Sequence, residues 1–135
     1  MRVVALEEKG FVTYGPNKLF DVTEYVGEVA AKVEKGFVAV LCKGSTGALL
    51  VLPREKKVAE EYERGLWGLV PIYGWRHPGN AYAHLRSTLI GTSMIVAVKK
   101  GIPVLPESSG VFFLENQAVN ARRRKIVLVA VESEG

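Results

Sequence analysis

The residues with the greatest chemical reach lie in one stretch, "YGWRHPGNAYAHLRST", residues 73–88. It holds both histidines of the chain, His77 and His84. Imidazoles bind divalent metals and exchange protons near neutral pH. On an unbroken helix this pair would stand two turns apart, about 10 Å along the axis. That is too far to share one ion. Pro78 changes the geometry, because it disfavours helix at His77. The helix is expected to start after Gly79 or at Asn80, with Asn80 as its cap. His77 then sits on a loop, and His84 on the first turns. This spacing permits one shared pocket without requiring it. Two structural histidines, with no carboxylate or cysteine partner in sequence range, are the competing reading.

The same helix start offers free amides and a positive dipole end to an anion. Arg86 adds a donor nearby. A second stretch, Lys43-Gly44-Ser45-Thr46-Gly47, has what a phosphate needs: flexible glycines, two hydroxyls and a cation. It lacks the Gly-Lys-Ser/Thr ending of a Walker A loop, and a plain turn between strands would use the same residues. Cys42 closes the apolar run "FVAVLC" and reads as a buried small hydrophobe rather than a nucleophile. The basic run Arg122-Arg123-Arg124-Lys125 can contact phosphate. No aromatic stacking motif accompanies it, so a solvated turn or strand start is the simpler reading.

These groups must be held by short alternating elements. Residues 2–7 and 11–14 read as opening strands, followed by a turn at Gly15-Pro16-Asn17. Asp21-x-x-Glu24 resembles a capping box, and either Asp21 or Thr23 can cap. Val26, Val29, Ala30 and Val33 then form one apolar helix face, with Gly36 placed to stop the helix. Two apolar runs, 37–42 and 48–52, have the length of buried strands. A second helix is expected over 54–64, since Val58, Tyr62 and Leu66 recur every fourth residue. A third runs from about Ala81 to Ile90, ended by Gly91. Strands at 94–98, 111–114 and 126–131 follow, with a hairpin at 98–102 leading into a further short strand. Strands outnumber helices without strict alternation, which predicts an α+β rather than a doubly wound α/β fold.

The length of 135 residues suits a single domain, 1–135, with a real core. The hydrophobic share of 48% and charged share of 24% are ordinary for a globular protein. No apolar run approaches the roughly 18 residues that span a bilayer. The N-terminal residues offer no signal-peptide pattern, so a cytoplasmic location is expected. The residues alone lead to a single α+β domain with a polar pocket.

Four quoted stretches, in order, resemble the YjbQ-like family, also called the secondary thiamine-phosphate synthase enzyme family. "FDVTEYV" is similar to its first strand-to-helix passage. "GFVAVLCKGSTGALLVL" resembles its strand, His-Thr-Thr loop, strand unit. "RHPGNAYAHLRSTLIGTSMIVAV" resembles its His, Gly-Asn, Ala-His-Leu-Lys/Arg, Ser-Leu-x-Gly signature. "VFFLENQAVNARRRKIVLVAV" resembles its closing strand, acidic loop and basic strand. The resemblance covers about Phe20 to Val131. It implies a mixed or antiparallel β-sandwich with about three helices, assembling as a homotrimer. It also implies a polar pocket near subunit contacts, whose histidines can bind a divalent metal. Members can join a pyrimidine diphosphate to a thiazole phosphate, releasing thiamine phosphate and pyrophosphate.

Carried over residue by residue, His77 and His84 match two family histidines, and Asn80 the Asn of Gly-Asn. Ser45 and Thr46 match the two threonines of His-Thr-Thr, Arg86 the basic residue after Ala-His-Leu, Glu115 the penultimate-strand Glu, and Arg122 or Arg123 the later basic residue. The chain is a divergent member by the same comparison. Gly44 stands where the family has its loop histidine, with Lys43 before it. Leu52-Pro53 replaces an Asn-Glu, Pro106-Glu107-Ser108-Ser109 a Gly-Thr-Trp-Gln loop, and Gln117-Ala118-Val119-Asn120 an Asp-Gly-Pro-Arg loop. With one presumed ligand gone, His77 and His84 would hold only a weakly bound divalent ion, Zn or Mg. Two functions follow. In one, His84 and His77 are catalytic in a thiamine-phosphate synthase-type transferase, and Lys43, Ser45, Thr46, Asn80 and Arg86 bind phosphorylated substrates, supported by Glu115 and Arg122. In the other, the framework is a catalytically impaired trimeric binding module for a small phosphorylated molecule or anion. Nucleic-acid binding through Arg122–Lys125 is the third alternative.

Overall fold

The computed structural model describes residues 1–68 and 81–133, the Ala81 side chain apart. The chain runs β1 (Arg2–Thr13), β2 (Lys18–Asp21), α1 (Thr23–Ala30), β3 (Lys35–Cys42), β4 (Gly47–Pro53), α2 (Lys56–Trp67), α3 (Ala81–Ile90), β5 (Ser93–Lys99), β6 (Ile102–Pro103), β7 (Ser109–Glu115) and β8 (Arg122–Glu132). A five-stranded sheet has the order β1-β8-β3-β5-β6, and a three-stranded sheet the order β2-β7-β4. Every strand pair is antiparallel. The α+β expectation is met, with three helices.

The core lies between the inner faces of the two sheets and α1. Val38 and Val40 of β3, Val96 and Val98 of β5, and Ile126, Leu128 and Ala130 of β8 face inward at every second position. Leu49, Val111 and Phe113 of the smaller sheet and Val26, Val29 and Ala30 of α1 close over them. The opposite face of the larger sheet is apolar too. Leu6, Val129, Ala39 and Ile95 lie directly opposite one another across four strands. Its two ends are open, Leu6 at 68% and Ile95 at 70% exposure.

Local chemistry departs from the sequence reading at three places. The two opening strands are one, β1, because all of Ala5–Thr13 finds ladder partners on β8, Gly10 opposite Lys125 included. The capping box does not form. The N-cap position is Val22, with no side-chain cap bond, while Asp21 Oδ1 accepts the Thr23 amide at 2.9 Å and Asp21 Oδ2 takes Arg54 Nε at 2.7 Å. Gly36 does not stop α1, which ends at Ala30. It sits in β3, where a Cβ would fall 1.9 Å from the Val131 carbonyl oxygen. The glycine is there for strand approach rather than for helix termination. Helix α2 forms as expected but buries no residue fully, and Tyr62 remains 45% exposed.

Candidate functional site

The Gly44–Thr46 loop follows β3 and faces α3 on one side and the end of β7 on the other. Gly44 has φ +143°, a conformation open to glycine, and a Cβ there would meet Arg124 Nη1 at 3.2 Å. The loop is thereby pressed onto β8. Its next residue reaches α3: Ser45 Oγ and His84 Nδ1 lie 2.9 Å apart. The direction of that bond follows the imidazole tautomer. One turn further along α3, Ser87 Oγ accepts Asn116 Nδ2 at 2.8 Å. The Asn116 amide in turn donates to the Thr46 carbonyl at 3.1 Å. Helix, loop and strand end are thus tied at successive points.

Beneath them lies a buried ion pair. Arg124 is 3% exposed and Glu115 fully buried. Arg124 Nε donates to Glu115 Oε1 at 2.7 Å, and Arg124 Nη2 to Glu115 Oε2 and to Thr46 Oγ1 at 2.6 Å. Thr13 Oγ1 adds a 2.6 Å bond to Glu115 Oε1, and the Gln117 amide one of 3.1 Å to Oε2. Gln117 Oε1 accepts Thr46 Oγ1 at 3.1 Å and Arg122 Nη1 at 2.6 Å. The carboxylate is fully committed, as a buried charge requires.

Arg86 is placed differently. Positions two apart on a helix do not share a face, and Arg86 turns from His84 to pack between two rings. Its guanidinium carbon lies 5.2 Å from the Trp67 ring centre and 5.6 Å from that of Tyr82. Nη2 donates to the Trp67 carbonyl at 3.1 Å. The side chain is fully buried, and Nε and Nη1 have no hydrogen-bond partner among the described residues. Burial draws its pKa down from the ordinary arginine value.

The sequence-derived residues therefore separate. Ser45 and His84 meet directly. Thr46, Glu115 and Arg122 join through Arg124 and Gln117. Lys43 is engaged elsewhere, its ammonium 3.0 Å from Glu8 of β1. His77 and Asn80 lie outside the described residues. The centre of the network, Arg124, was read only as part of a basic run. A period-2 count identifies it, because Arg124 shares parity with the inward residues Ile126, Leu128 and Ala130. Among the described residues no three His, Cys, Asp or Glu side chains gather to hold a metal. Gly44 has no side-chain ligand to give and Glu115 is held by Arg124, so neither adds a donor to His84, and His77 lies outside the described residues.

The family model described as UPF0047 protein YjbQ-like matches residues 8–133. The chain belongs to this family. A UPF0047 protein of Archaeoglobus fulgidus is 32% identical over 110 residues, spanning 78% of this chain and 86% of that one. Another, from Methanothermobacter thermautotrophicus, is 30% identical over 115 residues, spanning 81% and 80%. The fold superposes on a YbjQ-like protein of unknown function from Sulfolobus solfataricus, with TM-score 0.85 at 22% identity, covering 95% and 96% of the two chains. A hypothetical protein from Aeropyrum pernix K1 gives TM-score 0.81 at 26% identity, covering 94% and 99%. The family assignment covers the Gly44–Thr46 loop, α3 and the Glu115–Arg124 pair alike.

Proposed function

We propose that this family member binds a small phosphorylated molecule beside α3 and the Gly44–Thr46 loop, as a cytoplasmic binding module. The observation that carries this reading is the charge of the site. Arg122 and Arg124 are set against one carboxylate, Glu115, and Glu115 is consumed by Arg124. Arg122 is exposed beside Gln117, and guanidinium donors favour an oxyanion. Ser45 and His84 add a hydroxyl and an imidazole at the edge. Inorganic pyrophosphate and thiamine phosphate are suitable calorimetric probes. Binding by the wild-type protein, weakened about tenfold or more in Arg122→Gln and His84→Ala, is the expected result. Absence of heat with either probe at millimolar concentration sinks the proposal.

A second reading rests on the Ser45–His84 hydrogen bond. A fixed imidazole beside a hydroxyl is a proton-transfer pair, which favours weak thiamine-phosphate synthase-type transfer. Arg122 would stabilise the departing pyrophosphate in that case. Incubation with the pyrimidine diphosphate and thiazole phosphate separates the two. Thiamine phosphate formed faster than by His84→Ala supports the transferase, and equal rates leave the binding module.

Nucleic-acid binding has less support, since Arg124 is buried against Glu115 and Lys125 lies 3.5 Å from Glu8. The homotrimer belongs to this proposal as well. The open apolar row Leu6, Val129, Ala39 and Ile95 is a surface that self-association would cover. Sedimentation velocity tests it, and a monomer at micromolar concentration ends it.

A further inference from the structure

At the far end of β3 from Ser45, about 25 Å along the strand, the larger sheet holds a second concavity. Its volume is about 710 Å³, and it is lined by Lys35, Phe37, Ala97, Lys99, Lys100 and Val104 among others. The floor is apolar. Phe37 and Ala97 face each other directly across β3 and β5, and the Val104 amide closes onto the Ala97 carbonyl at 2.7 Å. Val104 is nevertheless 58% exposed.

The rim is cationic in an unusual way. Lys35 and Lys99 are directly opposed cross-strand partners, a like-charge pair that opposes sheet formation. Lys100 follows at the hairpin turn with φ +54°. None of the three makes an ion pair among the described residues. Elsewhere the lysines beside this sheet are neutralised: Lys9 by Glu28, Lys32 by Glu7, and Lys43 and Lys125 by Glu8. Among the described residues the only acidic side chain on the wall is Glu34. The Glu132 carboxylate near this end is turned to the amides of Glu34 and Lys35, both at 2.9 Å.

We propose that this concavity binds a monomeric amphiphilic anion, an acyl carboxylate or comparable molecule with an apolar body and one acidic head. The apolar floor takes the body, and Lys35, Lys99 and Lys100 take the head, relieving their mutual repulsion. A space of this size holds a discrete ligand rather than a bilayer surface. Phe37 and Ala97 continue the Ala39 and Ile95 row on the same face, so a trimer contact over Ala39 and Ile95 would have to leave the lysine-rimmed end open for this ligand. The site lies apart from α3 and stands independently of the phosphorylated-ligand reading.

The test is calorimetry with decanoate below its micelle concentration, with decanol as the neutral comparison. Decanoate is expected to bind, and decanol to bind about tenfold more weakly or worse. The Lys35→Glu/Lys99→Glu double variant should lose decanoate binding while pyrophosphate binding is unchanged. Lys35→Gln/Lys99→Gln serves if the reversed charges prevent folding, and should weaken decanoate binding by at least about tenfold. Four results overturn the proposal: no decanoate binding, equal affinity for decanol, variants that bind as wild type does, or retention only by anionic lipid vesicles. A drop in sedimenting mass on Lys99→Gln substitution assigns the face to self-association and overturns it too.

Discussion

The Arg124–Glu115 pair is the residue on which loop, strand and N-terminal strand converge. Removing one member leaves the other charge buried, which costs about 3–5 kcal/mol. Glu115→Gln is therefore expected to lower the unfolding free energy by that amount in denaturant titration, and Arg124→Met likewise. The double variant Glu115→Gln/Arg124→Met should recover part of the loss, because neither partner is left charged. Cys42 gives a second residue-scale prediction. Burial first, then the Glu115 charge, pushes its thiol up to about 12, against the opposing pull of Arg124. The native thiol should resist alkylation at about pH 8 and react once the chain is unfolded. The folded pKa lies above the ordinary 9.0, so this burial supports stability below pH 9.0 and loses that support as pH rises from there toward about 12. The sequence reads Cys42 as a buried small hydrophobe, and the structure leaves it half-buried against the core. The sequence hid Arg124, because four adjacent cations look like one surface until strand parity separates them.

At the scale of elements, the sheets are held by close strand approach and α2 by very little. Gly36→Ala would place its Cβ against Val131 at 1.9 Å, and overpacking of this kind costs about 1–3 kcal/mol or more. A lower melting temperature for Gly36→Ala, larger than for the exposed helical Gly65→Ala, is the expected outcome. Nothing lies within 4 Å of a Cβ at Gly65, where alanine should be neutral or stabilising. Helix α2 buries no residue, so its amides should exchange with solvent faster than those of β3 and β8. Short apolar runs revealed β3, β5 and β8 in the sequence. Gly36 misled because a glycine after an apolar helix face marks a stop and a strand contact equally well, and only the neighbouring β8 backbone decides between them.

Over the whole molecule, the surface is laced with carboxylates whose pKa values are lowered. Lys32 holds Glu7 down by a hydrogen bond, Lys43 does the same for Glu8, and the Glu34 and Lys35 amides hold Glu132 down. A lowered folded-state pKa adds stability above the ordinary 4.5 and loses it as pH falls through the folded value. The melting temperature should therefore hold from neutral pH to about pH 5 and fall progressively below it, with a shallower slope in Glu132→Gln. These groups are exposed, and about 0.5 M salt should flatten the same slope. The α+β class was visible in the order of short runs. The site was visible only in pieces, because its parts come from Thr13, the 43–46 loop, α3 and residues 115–124, which no local spacing connects.

One pairing described above has a consequence in time. Strand β1 is synthesised well before its ladder partner β8, and Arg2 stands opposite Glu132. Until residues 122–132 leave the ribosome, β1 and β3 expose edges that only β8 can join. Thr13 and Arg124 likewise reach Glu115 only when both ends are present. Such distant closure makes folding slow, on the order of milliseconds to seconds. A nascent chain stalled before β8 should remain protease-sensitive, and ligand-binding competence should arise abruptly with release of the last strand.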